Sequence, residues 1–178
     1  MPRILHRLPF YDAVSSVEVQ GATYRVLPLQ LIVWVSLAHQ GLSALEPQTP
    51  RLPAVLDPAY TDGFLIHEEH LRQFAGLRPG HLTALGASMR SRDRTIPLYA
   101  ANVWVHANQP GQRDQFSSAA PFLLELHRGI GITTGTDLYP RLPLLGARAF
   151  RAAGLHIGID YRNCQVSVRT RRPFWLFA

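Results

Sequence analysis

Residues 54–66 of the chain read AVLDPAYTDGFLI. The apolar run that starts at Pro53 ends in a carboxylate, Asp57, and a second apolar run begins at Phe64. The connection between the two runs, residues 58–63, contains proline, aspartate and glycine, which are typical of tight turns. Short apolar runs bounded by such residues are typical of buried strands. The stretch therefore predicts a strand, a turn and a second strand, with a carboxylate where the turn begins.

Most of the remaining chain has the pattern of short strands. Alternating apolar residues, β-branched residues and turn glycines predict these strands, and together they predict an all-β fold. They are a hairpin with Val17 and Val19 before Gln20-Gly21 and with Tyr24 and Val26 after it, strands at Leu29–Leu37, Leu98–His106, Phe122–His127 and Leu142–Leu145, and a hairpin of Leu155–Asp160 with Gln165–Thr170.

Two short helices and three loops complete the expected elements. Helical spacing of the apolar residues predicts a helix at His67–Ala75 that stops at Gly76, and a second at Gly146–Ala153. Segments rich in glycine, proline and polar residues predict loops. These loops are Gly41–Pro53, Asn108–Pro121 and Gly129–Gly135.

The composition is that of one folded domain. At 178 residues, with 47% hydrophobic and 17% charged residues, the chain is long and apolar enough to bury a core. We expect a single domain over residues 1–178 with its core at residues 17–170. The formal charge is +6, but the arginines form separate groups near residues 90–94 and 162–172. Since no recognition element accompanies them, we do not expect nucleic acid as a partner.

Cysteine content and hydropathy bear on the compartment. The single cysteine, Cys164, excludes an internal disulfide framework and an all-cysteine zinc site, and it suits a reducing compartment. Met1–Phe10 lacks an apolar run of signal-peptide length. Val26–Ala38 is apolar, but it is shorter than the roughly 20 residues of a membrane helix. We therefore expect a cytoplasmic protein with no membrane association.

Two segments, in this order along the chain, resemble the retropepsin-like aspartic protease family. Residues 54–66 resemble the family's strand, its Asp-Thr-Gly-Ala-Ser turn and the strand that follows. Residues 142–150 and 154–160 resemble its apolar-apolar-Gly-Arg-Asn/Asp-Leu-Leu helix and last strands. The resemblance implies an all-β, closed acid-protease barrel with a short C-terminal helix after Gly146.

The resemblance also implies a chemistry. Asp57 stands where the family has its catalytic aspartate, and two such carboxylates share a proton, one acting as a base toward water and the other as an acid toward the scissile carbonyl. The chain has one such turn, so the active unit would be a homodimer acting on a peptide or protein, with no cofactor and no metal. The resemblance implies a structural motif at Leu145, Gly146 and Arg148 and a flap at Leu82–Ala107. Chain termini often build the dimer sheet in this family, which makes Phe174–Phe177 a candidate for that sheet; the alternative is that this apolar end packs on its own domain.

The active-site loop departs from the family pattern. Pro58 follows the aspartate where the family has Thr or Ser, and it has neither a hydroxyl nor a backbone N–H. Ala59 replaces the family's glycine, which keeps the N–H but adds a Cβ; Tyr60 and Thr61 complete the loop. Ala147 replaces an arginine whose ion pair braces the active-site strand. The expected function is a retropepsin-like aspartic peptidase homologue with weakened or lost activity. The alternative is a non-catalytic peptide-binding or scaffolding module on the same fold.

Histidine and glycine patterns predict no further site. His67 and His70 are three residues apart, whereas a zinc-protease helix has them four apart, so we expect them on a solvated helix face. His106 and His127 are expected to be hydrogen-bonded, half-buried histidines in strands. The run Gly129–Gly135 lacks the lysine and the following helix of a phosphate-binding loop, and we expect it to be a flexible connection.

Overall fold

A computed structural model describes residues 3–91, 94–135 and 141–170. In these residues the chain forms fourteen strands and two α-helices, which confirms the predicted all-β class. The strands are β1 (Arg3–Pro9), β2 (Ser15–Val19), β3 (Ala22–Val26), β4 (Leu31–Ala38), β5 (Leu52–Asp57), β6 (Phe64–His67), β7 (Thr83–Ser91), β8 (Arg94–Ala100), β9 (Asn102–Val105), β10 (Phe122–Leu124), β11 (Ile130–Thr133), β12 (Leu144–Gly146), β13 (Leu155–Asp160) and β14 (Gln165–Thr170). The helices are α1 (Glu68–Ala75) and α2 (Ala147–Ala152).

Nine strands form the largest sheet, in the order β10-β9-β4-β5-β12-β6-β11-β8-β7. Strands β10 and β7 stand at its two edges, so the closed barrel that we expected is not found in the part of the chain that the structure describes. Strand β12 lies in the middle, parallel to β5 and antiparallel to β6. This insertion brings the C-terminal third of the chain against the two strands of the 54–66 stretch.

Two smaller sheets complete the molecule. Strands β1, β14 and β13 form a three-stranded antiparallel sheet in that order, and β2 pairs with β3 as a separate hairpin. One cluster of buried side chains joins this three-stranded sheet to the large one, and it extends from Ile4 in β1 to Val168 in β14. The hydrophobic core therefore includes side chains of β1. The opposite face of the three-stranded sheet, which carries Arg3 and Arg169, is exposed.

Elements that depend on local signals agree with the sequence prediction. The β2–β3 and β13–β14 hairpins and both helices are present at the expected positions. His67 caps α1 by accepting a hydrogen bond from the Glu69 backbone N–H, and Gly76 ends the helix with a φ of 66°. That φ lies in the left-handed region, which glycine adopts at no steric cost.

The glycine run that begins at Gly129 was wrongly predicted to be a flexible loop. Residues Ile130–Thr133 form β11, which is buried and pairs with β6 in parallel and with β8 in antiparallel orientation. Gly131 packs closely against Met89, since a Cβ at that position would lie 2.3 Å from Met89 Cε and the methionine side chain would have to move. Gly131 therefore lies in a packed strand and not in a flexible loop.

The expected strand Leu98–His106 is split between two parts of the large sheet. Strand β8 pairs with β7, whereas β9 pairs with β4 and β10 near the other edge. The segment Leu82–Ala107, expected to be a flap, therefore forms a β7–β8 hairpin only as far as Ala100.

Candidate active site

Asp57 is the last residue of β5, and its side chain is half-buried. Its Oδ1 accepts a hydrogen bond from the backbone N–H of Ala59 at 2.9 Å. Its backbone carbonyl accepts a second hydrogen bond, from the N–H of Tyr60 at 3.1 Å. Pro58, Ala59 and Thr61 are exposed. The backbone of the turn therefore holds the Asp57 carboxylate, and the tip of the turn is exposed to solvent.

The second segment that carries the resemblance holds this turn in position. Gly146 in β12 is the register partner of Asp57. Its N–H donates a hydrogen bond to the carbonyl of Gly63 at 2.8 Å, and the N–H of Ala147 donates to the carbonyl of Tyr60 at 2.9 Å. The turn is thus bonded to β12 and to the first residue of α2.

The contact at Gly146 leaves no room for a side chain. A Cβ at that position would lie 2.2 Å from the backbone oxygen of Asp62 and 2.5 Å from that of Tyr60. The preceding residue, Leu145, is fully buried. The structure therefore brings together Asp57, Pro58, Ala59, Tyr60, Thr61, Leu145, Gly146 and Arg148, the residues that the sequence analysis selected.

Tyr60 connects the turn to the β7–β8 hairpin, a contact that sequence reasoning did not anticipate. Its hydroxyl donates a hydrogen bond to Met89 Sδ at 3.2 Å. Burial raises the pKa of the Tyr60 phenol, and the nearby Asp62 carboxylate raises it further. The phenol therefore stays protonated as a donor. Met89 lies 29 residues further along the chain, so no local pattern predicts this pair.

Arg148 supplies a brace of the kind that we expected to be missing. Its Nη1 lies 3.5 Å from Oδ1 of Asp62, so the cation comes from the residue after Ala147. Ala147 has no charge, as the sequence shows, and the pair formed by Arg148 was not predicted. The side chain of Arg148 is 41% exposed and that of Asp62 is 23% exposed. Since water screens such a pair, it stabilises the fold by at most about 1 kcal/mol.

A cavity of about 180 Å³ lies beside this ion pair. It combines apolar side chains from several strands and α2 with both members of the pair. Its lining includes Asp62, Met89, Leu98, Leu126, Arg148 and Ala152. Most of its lining surface is apolar, so the cavity suits a small apolar group.

His70 of α1 and His67, which caps this helix, are both buried, contrary to the predicted solvated face. His67 and His70 are only 4% and 0% exposed. The Nε2 of His67 lies 3.0 Å from the carbonyl of Gly135, and the ring of His70 stacks on Phe74 with 4.6 Å between centroids. Tyr24, from the β2–β3 hairpin, packs edge-on against His70. The helical pattern alone could not predict this cover, because it comes from a distant hairpin.

The other histidines have separate environments. His106 is buried and its Nε2 lies 2.9 Å from Ser36 Oγ, which confirms the predicted hydrogen-bonded histidine. His127 is exposed and lies after the end of β10, so its predicted strand position is wrong. In residues 3–91, 94–135 and 141–170, no three His, Cys, Asp or Glu side chains form a group that could hold a metal ion.

Protein stability is expected to fall as the pH falls from 6.5 towards 4. Burial lowers the pKa of His70 and that of His106 from 6.5 to about 4. In that window the unfolded chain binds a proton at each histidine and the folded chain does not, so acidification favours the unfolded state. The expected loss in the free energy of unfolding is about 1 kcal/mol per histidine at one pH unit below 6.5.

Urea unfolding at a series of pH values between about 7.5 and 5 measures this slope. A His70→Phe variant removes one of the two histidines whose pKa is lowered to about 4, so we expect about half of the slope. His39→Phe is the matched control, because His39 is exposed. Equal slopes in the wild type and in His70→Phe would contradict the prediction.

No family model matches the chain, and comparisons with curated proteins and with solved structures find no significant match. Among the described residues, no helix has the length and apolar character to cross a membrane. The segment Phe174–Phe177, expected to form a dimer sheet, lies outside the described residues.

Proposed function

We propose that this chain is a retropepsin-like aspartic peptidase homologue that hydrolyses peptide bonds at a strongly reduced rate. One observation carries the proposal: the two segments that resemble the family pair directly, with Gly146 opposite Asp57, although they are far apart in the sequence. If the two short segments resembled the family only by chance, there would be no reason for them to pair in the folded chain. Their pairing, and the position of the carboxylate in the turn after β5, support an acid-protease type of fold.

The proposed mechanism uses one Asp57 from each of two copies. Two carboxylates within hydrogen-bonding distance do not both ionise easily, so they share a proton. The ionised member takes a proton from a water molecule that attacks the scissile carbonyl, and the protonated member donates its proton to the carbonyl oxygen. Asp62 is not the second carboxylate in this scheme, because it faces Arg148. A homodimer therefore supplies the pair.

The reduced rate follows from the residue after the aspartate. Pro58 has no backbone N–H and no hydroxyl, so it cannot join the two turns of a dimer by hydrogen bonds. The replacement of the family's glycine by Ala59 disturbs the turn less than the added Cβ would suggest. Its N–H bonds Asp57, and it is not among the residues with positive φ. The hydrogen bond from Ala59 to the carboxylate is therefore retained, whereas the bonds that a threonine or serine at position 58 would form between the two turns are lost.

The proposed substrate is an extended peptide. Extended peptides bind through strand-like main-chain hydrogen bonds, with pockets that receive alternate side chains. The cavity beside Asp62 and Arg148 is bounded partly by Met89 and Leu98 of the β7–β8 hairpin. These side chains favour an apolar substrate residue at that position.

The dimer requirement gives a direct test. Cleavage of an unfolded protein substrate is measured at mildly acidic pH over a range of enzyme concentrations, together with the solution mass. We expect activity per chain to rise with concentration, and we expect an excess of Asp57→Asn protein to suppress wild-type activity by forming mixed dimers. Asp12→Asn, an exposed aspartate, is the matched control and is expected to leave activity unchanged. A strictly monomeric protein that cleaves substrate would refute the mechanism.

A second candidate function is a non-catalytic peptide-binding module on the same fold. The observation that favours it is Pro58, whose ring removes both groups that would lock an active dimer. This candidate predicts saturable binding of extended peptides with no cleavage. It also predicts that Asp57→Asn leaves the peptide affinity unchanged.

A further inference from the structure

The exposed face of the three-stranded sheet carries a basic depression of about 260 Å³, remote in sequence from the Asp57 turn. Five basic or imidazole side chains surround it: Arg3, His6, Arg7, His156 and Arg169. Gly158 and Ser167, which are register partners on β13 and β14, complete its lining. Two small residues between larger cationic ones leave a hollow at this point of the sheet. We call this feature the basic depression.

Strand register places two like charges, those of Arg3 in β1 and Arg169 in β14, directly opposite one another. Arg169 is also the register partner of His156 in β13. Like charges in directly opposite positions destabilise a sheet. No ion pair to Arg3 or Arg169 is present among the described residues. Among the described residues, the row therefore has no acidic partner.

The acidic residue of this face does not neutralise the row. Asp160 pairs with Gln165 at the far end of the β13–β14 ladder. Both of its carboxylate oxygens accept hydrogen bonds from Asn163, one from the backbone and one from the side chain. The side-chain and backbone bonds from Asn163 lower the pKa of Asp160. The Asp160 carboxylate is thus bonded within its own turn, at the far end of the ladder from Arg3 and Arg169.

The backbone of β1 is bent to form the edge of the depression. Arg7 has a φ of 48°, a left-handed conformation that costs free energy for a residue with a Cβ. Its backbone N–H donates a hydrogen bond to Ser167 Oγ at 3.1 Å. Since that oxygen accepts this bond, the Ser167 hydroxyl hydrogen remains as a donor toward the depression. Arg7 and Arg3 both line the depression.

His6 lies on this edge, and its ring accepts a hydrogen bond from Arg3. A guanidinium nitrogen of Arg3 donates to His6 Nε2 at 2.6 Å, so that nitrogen is unprotonated in this structure. Desolvation and the charges of Arg3 and Arg7 lower the pKa of His6. A bound anion would raise the pKa of His6, because its negative charge would oppose that of the two arginines. The pKa of His6 is therefore expected to rise when an anion occupies the depression.

We propose that the basic depression binds a phosphate-type oxyanion carried by a small molecule. Guanidinium groups present paired N–H donors that match two oxygens of a phosphate, and such charge-assisted hydrogen bonds are the strong ones. Arg3, Arg7 and Arg169 supply these donors, and Ser167 supplies a neutral one. Among the described residues, the lining has no Phe, Tyr or Trp on which nucleic-acid bases would stack, which favours a compact phosphate over a nucleic-acid strand. This site is independent of Asp57.

The test titrates the full chain with inorganic phosphate and with pyrophosphate at low ionic strength, with matched chloride as the control, and follows heat and thermal unfolding. We expect saturable binding and a rise in the unfolding temperature. Arg169→Gln is expected to weaken the affinity by about tenfold. Arg25→Gln, which removes the same charge from the β2–β3 hairpin, is expected to change it by less than about twofold.

The free protein provides a second readout. Because Arg169 faces both Arg3 and His156, we expect Arg169→Gln without phosphate to be at least as stable as the wild type. A residue with a purely structural role would lower stability instead. Should Arg169→Gln fold poorly, Arg3→Gln on the edge strand replaces it.

Two results would overturn the proposal. One is equal phosphate affinity in Arg169→Gln and Arg25→Gln. The other is binding only of a single-stranded oligonucleotide, with an affinity that falls steeply with salt, which would make the face a nucleic-acid surface. A rise in the pKa of His6 on phosphate addition, measured by NMR, would support it.

Discussion

Replacing Pro58 by Thr and Ala59 by Gly in one variant is expected to raise the rate of peptide cleavage by about a hundredfold. The threonine restores a hydroxyl and a backbone N–H next to Asp57, and both are groups that can join the turns of two copies. The glycine removes a Cβ next to the carboxylate. Positioning errors of about 1 Å at a reacting group cost on the order of a hundredfold in rate, and this variant is designed to remove such an error.

The measurement compares initial rates of cleavage of one unfolded substrate at equal concentrations of dimer. Pro58→Ala with Ala59 retained is the informative control, since it restores the N–H without the hydroxyl and should recover only part of the gain. Adding Asp57→Asn to the active variant should abolish cleavage. A double variant that dimerises but stays inactive would favour the non-catalytic peptide-binding module.

Substituting Gly146 by Ala is expected to lower the free energy of unfolding by about 3 kcal/mol. The added Cβ would lie 2.2 Å and 2.5 Å from two backbone oxygens, those of Asp62 and Tyr60. Backbone atoms cannot rotate away as a side chain can, so either β12 or the 58–63 turn must move. A shift of the turn would also disturb the N–H of Ala59 that bonds Asp57.

Urea unfolding at neutral pH measures this cost. Gly80→Ala is the matched control, because a Cβ there meets nothing within 4 Å and Gly80 does not have a positive φ. We expect the control to change stability by less than about 0.5 kcal/mol. If both variants were equally stable, the close approach of β12 to the turn would be wrong.

The features that the sequence predicted are those with local signals. The 54–66 stretch predicted β5, the turn and β6, because apolar runs and turn residues alternate within thirteen positions. The β13–β14 hairpin and Gly76 at the end of α1 followed from equally short patterns. The selection of Leu145 and Gly146 came from a family resemblance, and their contact with the turn appears only in the structure.

The features that were missed depend on residues that are far apart in the chain. β11 is buried because β6 and β8 flank it, whereas its own sequence is rich in glycine. The ion pair of Arg148 with Asp62 depends on how α2 meets the turn, and the burial of His70 depends on cover from Tyr24. The pattern of a single sequence does not show contacts between distant parts of the chain. For this reason the sequence analysis placed His67 and His70 on a solvated helix face.

The buried, neutral imidazoles of His70 and His106 set a lower limit on the pH at which this molecule stays folded. A carboxylate dyad holds its shared proton only below an upper pKa that is about 4.7 in pepsin. This chain loses stability over the same range, as His70 and His106 take up protons on unfolding. The window in which a folded chain and a singly protonated dyad coexist is therefore narrow. In the proposed peptidase, this overlap would limit turnover even with an ideal substrate.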